Sequence, residues 1–428
     1  MWDKLKRIFT IPDLRRRIVY VILLLLLTRF LAHIPIPGVD LDRLKALFSQ
    51  NQLFGLLDIF SGGGLGNFSI AMLGVGPYIT ASIIIQLLTI IVPSLADLSK
   101  EGGEAGRTKI NQYTRYLTVP LAALQTFGTI TFLIRAGGTA APIVPNLTLA
   151  AWIVIIASVS AGSVLMMWLG EVLTEYGVGN GISLIIFAGI VARILVTIQR
   201  VASVWDPSLL ITVILFVVLG LLVILGIVYV NEGQRNIPVS YAKRVRGDKL
   251  YGGVSTHLPL RVNQAGVIPI IFAISIMLFP GVIASYLSQS PVAWVSNAAL
   301  TVTNLFNNQL FYGITYFILV ILFTYFYTAV IFNPDEVAEN IQKQGGFIPG
   351  IRPGAQTAEY LNKVMNRITL AGAIFLGLIA ILPYIIQHFT ALPSLAIGGT
   401  SLLIVVSVVI ETMKQLESQI VMRDYEGF

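Results

Sequence analysis

Ten stretches of this chain, each roughly 20 residues long, are almost free of charge, and that pattern leaves few folds open. They run at 18–36, 76–93, 117–134, 149–170, 182–199, 209–230, 266–286, 313–332, 368–387 and 395–412. The hydrocarbon core of a bilayer is about 30 Å thick and takes about 20 apolar helical residues to cross. Lipid offers no partner to a bare N–H or C=O, so such runs must satisfy their backbone internally as helices. The predicted fold class is therefore an all-α polytopic membrane protein of about ten transmembrane helices. Composition agrees, since 56% hydrophobic residues, 11% charged residues and a mean hydropathy of +0.82 exclude a soluble domain. Arg15, Arg16 and Arg17 precede Val21 to Leu27 as they would in a signal peptide. His33-Ile-Pro-Ile-Pro37 follows in place of a small-x-small cleavage site, so the segment is read as retained.

The cations orient these spans. With the N-terminus inside, all of the 28 Lys and Arg residues fall in cytoplasmic segments except Arg29, Arg43, Lys45, Arg135, Arg193 and Arg200. The positive-inside rule then places both termini in the cytoplasm. The net charge of +7 reflects this topology and not nucleic-acid binding. The expected organisation is a cytoplasmic segment 1–17, an N-terminal half 18–200 with spans one to five, a C-terminal half 201–412 with spans six to ten, and a cytoplasmic tail 413–428. If the second half repeats the first, an odd number of spans per half forces the halves into inverted orientations. The second span of each half is interrupted, by Gly74, Gly76 and Pro77 in one and by Gly266, Pro269, Pro280 and Gly281 in the other. Matched interruptions point to a pathway between the halves, although Gly and Pro are also common in membrane helices for packing reasons alone.

Catalytic chemistry finds no support in the inventory. The three histidines, His33, His257 and His388, are far apart, no phosphate-binding G-x-x-x-x-G-K-[ST] or G-x-S-x-G elbow occurs, and the absence of cysteine removes thiolate metal sites. The reading is a protein with no catalytic residues, no cofactor and no metal, so energy for directed transport must come from a partner or the membrane potential. Coupled solute carriers place ionisable groups at mid-membrane. Here only Arg29 and Arg193 lie well within spans, and each can snorkel or pair with a helix end.

Between the first two spans, Phe60 to Gly74 is apolar, glycine-rich and too short to cross as a helix. It is either a re-entrant segment received by a cavity or an ordinary external loop. Tyr176-Gly-Val-Gly-Asn-Gly181 follows a helix and is read as a turn. Two long cytoplasmic loops remain. Loop 231–265 reads as a hairpin carrying Lys243, Arg244, Arg246 and Lys249, and loop 333–367 holds Arg352 between Gly350 and Gly354 beside Pro353. Charge alone makes these solvated loops, while length and Pro/Gly ordering suit a docking role.

Longer strings then carry a resemblance. PYITASIIIQLL (77–88), KEGGEAGRTKINQYTRY (100–116), MWLGE (167–171), GVGNGISLIIFAGIVA (177–192), STHLPLRVNQAGVIP (255–269), NPDEVAENIQKQGGFIPGIRPG (333–354) and GGTSLLIVV (398–406) are similar to those of the bacterial SecY family, central subunits of protein-conducting channels. The similarity runs in order from about Arg15 to Tyr425. It implies a gated channel that passes unfolded secretory polypeptides across the cytoplasmic (inner) membrane and inserts membrane proteins sideways. The implied architecture is two inverted five-helix halves around a central pore, opening between spans two and seven.

By the same resemblance, Val75, Ile79, Ile182, Ile186, Ile271 and Ile404 form the constriction ring, with Val75 standing where isoleucine is the more usual residue. Branched apolar side chains in a narrow ring exclude ions by dewetting. Ser61, Gly62, Gly63, Gly64, Leu65, Gly66, Asn67, Phe68, Ser69 and Ile70 belong to the plug at 61–72, and Gln86 and Asn263 are implied polar partners across the lateral gate. Lys243, Arg244, Arg246, Lys249 and Arg352 are the implied docking surface for the SecA motor and for ribosomes, though Asp248 stands where a second basic residue is usual. SecE is the expected partner subunit and SecG an accessory one, with signal-sequence-bearing polypeptides as substrates and membrane lipids as surroundings. Two rivals are an inverted-repeat solute transporter, which a paired intramembrane ion site would favour, and a non-conducting ribosome receptor, against which the plug-like segment and interrupted spans argue.

Overall fold

Each of the ten apolar runs becomes a helix in the computed structural model of the chain, which describes residues 11–36, 64–100, 103–136, 148–203, 210–241, 244–246, 249–251, 255–288, 292–389 and 399–426. The helices are α1 (Pro12–Leu31), α2 (Gly76–Ile91), α3 (Pro93–Lys100), α4 (Gly103–Ala136), α5 (Leu149–Tyr176), α6 (Gly181–Ser203), α7 (Leu210–Glu232), α8 (Ile268–Leu287), α9 (Ala293–Asn307), α10 (Gln309–Ile331), α11 (Pro334–Lys343), α12 (Ala355–Phe389) and α13 (Gly399–Glu426). Five strands, β1 (Gln234–Tyr241), β2 (Arg244–Arg246), β3 (Lys249–Tyr251), β4 (Ser255–Arg261) and β5 (Gly346–Phe347), lie in the two long loops. The protein is an all-α polytopic membrane protein. Among the described residues, five helical stretches are long and apolar enough to cross a membrane on length and composition: Leu149–Tyr176, Ile214–Glu232, Leu310–Lys343, Ala355–Ile386 and Gly399–Met422. Gly76–Ile91 and Gly181–Val196 are apolar but shorter.

Boundaries differ from the apolar runs for identifiable reasons. α1 stops at Leu31, short of the expected 36, because Pro35 cannot donate to a helical ladder; the backbone there forms an antiparallel bridge to Ser69. α4 and α12 begin at Gly103 and Ala355, well before the apolar runs at 117 and 368. Their first turns are polar, and a search for apolar residues registers only the part of a helix that meets lipid. α13 likewise continues to Glu426 through the residues expected to be a tail.

The chain forms two compact units. The first comprises Met1–Pro207, Val282–Ser296 and Val408–Phe428, and the second Ser208–Gly281 and Asn297–Ser407. In the first, α5 and α6 cross at two glycines. A Cβ on Gly181 would collide with the Gly170 carbonyl, and one on Gly170 would lie 2.8 Å from Ile182 Cγ1. The turn joining them is closed by side chains: the Gly181 N–H donates to Thr174 Oγ1 at 2.9 Å, and Asn180 Oδ1 accepts from the N–H groups of Ile182 and Ser183. Asn180 thereby caps α6 and sets its direction.

In the second unit, Phe272 of α8 meets Phe323 and Tyr327 of α10 edge to face, with centroids 5.8 Å apart in each pair. Outward faces are apolar, as on α7, where Ile211, Ile214, Leu215, Leu222 and Leu225 are all exposed. Such faces suit lipid, which is as apolar as leucine.

Candidate functional site

The glycine-rich segment before α2 is irregular and closely held. Gly64 to Val75 runs as consecutive turns, with Ser69 N–H donating to the Gly64 carbonyl, Met72 N–H to Ser69 and Gly74 N–H to Ala71. Ile36 N–H donates to the Phe68 carbonyl at 2.9 Å and Ile70 N–H to the Ile34 carbonyl at 3.1 Å, clipping the segment to the chain that leaves α1. Leu65, Phe68 and Met72 are buried with Ile36, Ile130 and Leu133, and with Ile155 and Val159 of α5. Phe68 is wholly buried and holds a positive φ of 45°, a conformation that costs a non-glycine residue about 1 kcal/mol and persists only where packing compels it. Gly162 of α5 lies directly under this segment, since a Cβ there would strike the Ile70 carbonyl. Of the residues expected in the plug, Gly64 to Ile70 thus form a buried, non-helical seat against α4 and α5. Ser61, Gly62 and Gly63 lie outside the described residues.

Four of the six expected ring residues belong to the first unit. Val75 is buried at the N-cap of α2, Ile79 is half-buried one turn on, and Ile182 and Ile186 occupy the first two turns of α6. Ile271 and Ile404 belong to the second unit, half-buried at the start of α8 and buried in α13 respectively.

The two expected gate residues have partners within their own units. Gln86 Nε2 donates to Ser82 Oγ at 3.4 Å, one turn away. Asn263 Nδ2 donates to Asn231 Oδ1 at 2.8 Å, and Asn231 Nδ2 donates to Ser407 Oγ at 2.8 Å. This chain joins the end of α7, the approach to α8, and α13. It leaves Asn263 Oδ1 buried and without a hydrogen-bond partner among the described residues. Sequence reasoning missed Asn231 and Ser407; the signal was a lone asparagine at the end of an otherwise apolar run.

The basic loops build one platform. β1 pairs antiparallel with β4 over Gln234–Tyr241 and Ser255–Arg261, and β2 pairs with β3 at Arg244↔Tyr251, Val245↔Leu250 and Arg246↔Lys249. The hairpin reading thus resolves into two nested pairs, with Arg244, Arg246 and Lys249 on the inner one; Lys243 lies outside the described residues. The second loop joins the first, because β5 adds to β1 through Ser240↔Phe347 and Tyr241↔Gly346. Beneath the sheet, Ile237, Val239 and Leu260 pack with Ile341, Ile348, Leu361 and Val364. This union was not legible from either loop alone.

Arg352 is exposed at the rim of that platform. Gly350 and Gly354 flank it at φ of +83° and +98°, backbone that L side chains rarely adopt. Thr357 Oγ1 donates to the Arg352 carbonyl at 3.0 Å, and the N–H groups of Thr357 and Ala358 donate to the Gly354 carbonyl as α12 begins. The guanidinium therefore stands on a fixed backbone. Among the described residues no ion pair engages it, and no group of side chains has the make-up to hold a metal ion.

Residues 69–413 match the family model SecY. The protein translocase subunit SecY of Streptomyces galbus is 44% identical over 435 residues, covering 99% of this chain and 98% of that relative. The protein of the same name from Mycobacterium tuberculosis (strain ATCC 25618 / H37Rv) is 43% identical, with 97% of each chain covered. Two solved structures share the fold at 18% identity, each covering 93% of this chain and 91% of the other. One, described as the structure of a protein conducting channel, has a TM-score of 0.62; the other, Sec61 in the canine ribosome-channel complex from the endoplasmic reticulum, has 0.59.

Proposed function

The chain belongs to the SecY family of protein translocase subunits, protein-conducting channels of the membrane, and from that premise we propose the parts by which this chain conducts and is gated. Residues 18–200 and 201–412 are the two inverted halves, and a polypeptide passes between them through a ring of Val75, Ile79, Ile182, Ile186, Ile271 and Ile404. The observation that carries this reading is the seat of Gly64 to Val75: an irregular, buried segment leads directly into the helix bearing Val75 and Ile79. Irregular backbone at membrane depth is tolerated only where protein or a watery cavity receives it, which suits a plug and not a lipid-facing loop. Extraction of the plug exposes a ring of branched apolar side chains that yields to a chain and dewets in its absence.

Gln86 and Asn263 are the polar partners across the lateral gate. The unpartnered Asn263 Oδ1 supports this role, because a buried acceptor left unmade favours whatever donor reaches it. The β-sheet platform, with Lys243, Arg244, Arg246, Lys249 and Arg352, receives the SecA motor and the ribosome. SecE and SecG are the partner subunits, signal-sequence-bearing polypeptides the substrates and the cytoplasmic membrane the location, with both termini inside. No step calls for a catalytic residue or cofactor.

The test places a photo-crosslinker at Ile79, Ile186 and Ile404 in turn and stalls a secretory precursor during transport into reconstituted vesicles. Crosslinks from all three positions are expected. Crosslinks from the platform alone would leave docking intact and remove the pore assignment.

A further inference from the structure

The central sheet of the platform has the strand order β4-β1-β5, and two stretches of its edge are left uncovered. Among the described residues no strand lies beyond β4, and β5 reaches β1 only at Ser240 and Tyr241. The register shows which backbone groups these edges offer. Val262 N–H donates to the Gly233 carbonyl at 2.8 Å, one step beyond the Gln234↔Arg261 pair. In an antiparallel ladder, hydrogen-bonded pairs alternate with non-bonded ones, so the bonded pairs are Arg235↔Leu260, Ile237↔Leu258 and Val239↔Thr256. The residues between them turn their backbone groups away from the partner strand. On β4 these outward positions include His257, Pro259 and Arg261; on β1 they include Asn236, Pro238 and Ser240, the last being the one that β5 takes.

Each uncovered edge thus carries one proline, Pro259 on β4 and Pro238 on β1. Both are exposed, as are His257, Arg261 and Asn236 beside them. Proline has no N–H to donate and its ring fills the space a neighbouring strand would take, so one outward proline denies the pairing that an open edge invites. The β1–β4 ladder dictates only that a proline in these strands must face outward; it does not call for one on each edge. A channel that conducts unfolded polypeptide brings extended backbone past its mouth, and such backbone adds to exposed sheet edges. β4 ends at Arg261 and α8 begins at Ile268, so the sheet stands directly before the helix that bears Ile271. We propose that Pro238 and Pro259 keep the polypeptide in transit from adding to the platform as a further strand, so that the sheet does not retain substrate. A second copy of the sheet needs no such bar, because two platforms that each carry Arg244, Arg246, Lys249 and Arg352 repel. The proposal rests on the reading above that the platform stands at the entrance to the pore.

The full chain with its co-purifying subunits is reconstituted into vesicles with a photo-crosslinker in place of Arg261 or Asn236, and a secretory precursor is stalled in transit. P259V and P238V each restore one N–H and place a good strand former at the edge. Precursor crosslinks are expected to rise about fivefold over wild type, the factor that goes with one net hydrogen bond, at Arg261 in P259V and at Asn236 in P238V. Transit is expected to slow in both. H257P/P259V, which moves the proline to the next outward position, is expected to return crosslinking and transit to wild-type values, a rescue that a merely structural role for Pro259 does not give. Unchanged crosslinking in both single variants, or a gain that H257P leaves in place, would overturn the proposal. So would crosslinks in P259V to a second copy of the chain and not to precursor, which would assign the prolines to preventing self-pairing. A crosslinker at Ile79 in the same variants separates these results from failure of the pore reading, since precursor reaches the ring whether or not the edge retains it.

Discussion

Arg352 and Gly162 are single positions where geometry argues for a specific outcome. Arg352 is exposed on backbone fixed by Gly350, Gly354 and the Thr357 hydroxyl, so its charge can be reversed without disturbing a contact that holds the fold. R352E is expected to abolish motor-driven translocation while shifting unfolding by no more than about 0.5 kcal/mol. Transport of a precursor into vesicles and thermal unfolding of the same sample check the two halves of this statement; normal transport would remove Arg352 from the docking surface. Gly162 is the opposite case. Even the methyl of G162A meets the Ile70 carbonyl, so the seat must shift, at a cost of about 1–3 kcal/mol. Ion leak through resting channels is the measurement, and an increase over wild type is expected. Leak at the wild-type level would show that the seat does not seal. The sequence pointed to Arg352 through Gly and Pro at its sides, whereas Gly162 sits unremarkably within an apolar helix. Its importance is a distance to a residue far away in sequence.

At the scale of elements, the two basic loops are one structure. β5 is two residues long, yet it ties the second loop to β1, and the core beneath draws Ile237 from the first loop and Leu361 from α12. Both are essentially fully buried, and truncation of either to alanine is expected to cost about 2–5 kcal/mol. Because the spans do not rely on this core, I237A and L361A should loosen the platform while far-UV circular dichroism retains its helical signal. Proteolysis within 231–265 should accelerate, and SecA binding should weaken although neither substitution touches a charge. Unchanged proteolysis would show the loops to be independent. The hairpin was legible because β-branched residues and turn residues follow one another locally. Its union with the second loop depends on pairing across about a hundred residues, which no local pattern encodes.

At the scale of the molecule, the absence of cysteine makes orientation directly testable. Ser418 near the end of α13 and Gln356 at the start of α12 are exposed, as is Asn297 on α9. In otherwise cysteine-free protein, S418C and Q356C are expected to react with a membrane-impermeant maleimide only from the cytoplasmic face, and N297C only from the other. The reverse pattern would invert the topology. The expected interruption at Pro280 and Gly281 is not seen, since α8 runs unbroken through both. What the sequence determined by itself was the number, order and kind of the apolar helices, and the irregular glycine-rich backbone that precedes α2. Lipid imposes those features one segment at a time: each run must be apolar, and each must close its own hydrogen bonds. Tertiary structure decided how far α4, α12 and α13 extend beyond their apolar runs, since their polar turns do not meet lipid, whereas the end of α1 follows from Pro35 in the sequence itself. Tertiary structure alone decided that Gly64 to Val75 rests on Gly162 and that Asn231 links Asn263 to Ser407. Each of these is a close approach between distant segments, fixed by steric fit and by polar groups that lipid cannot satisfy.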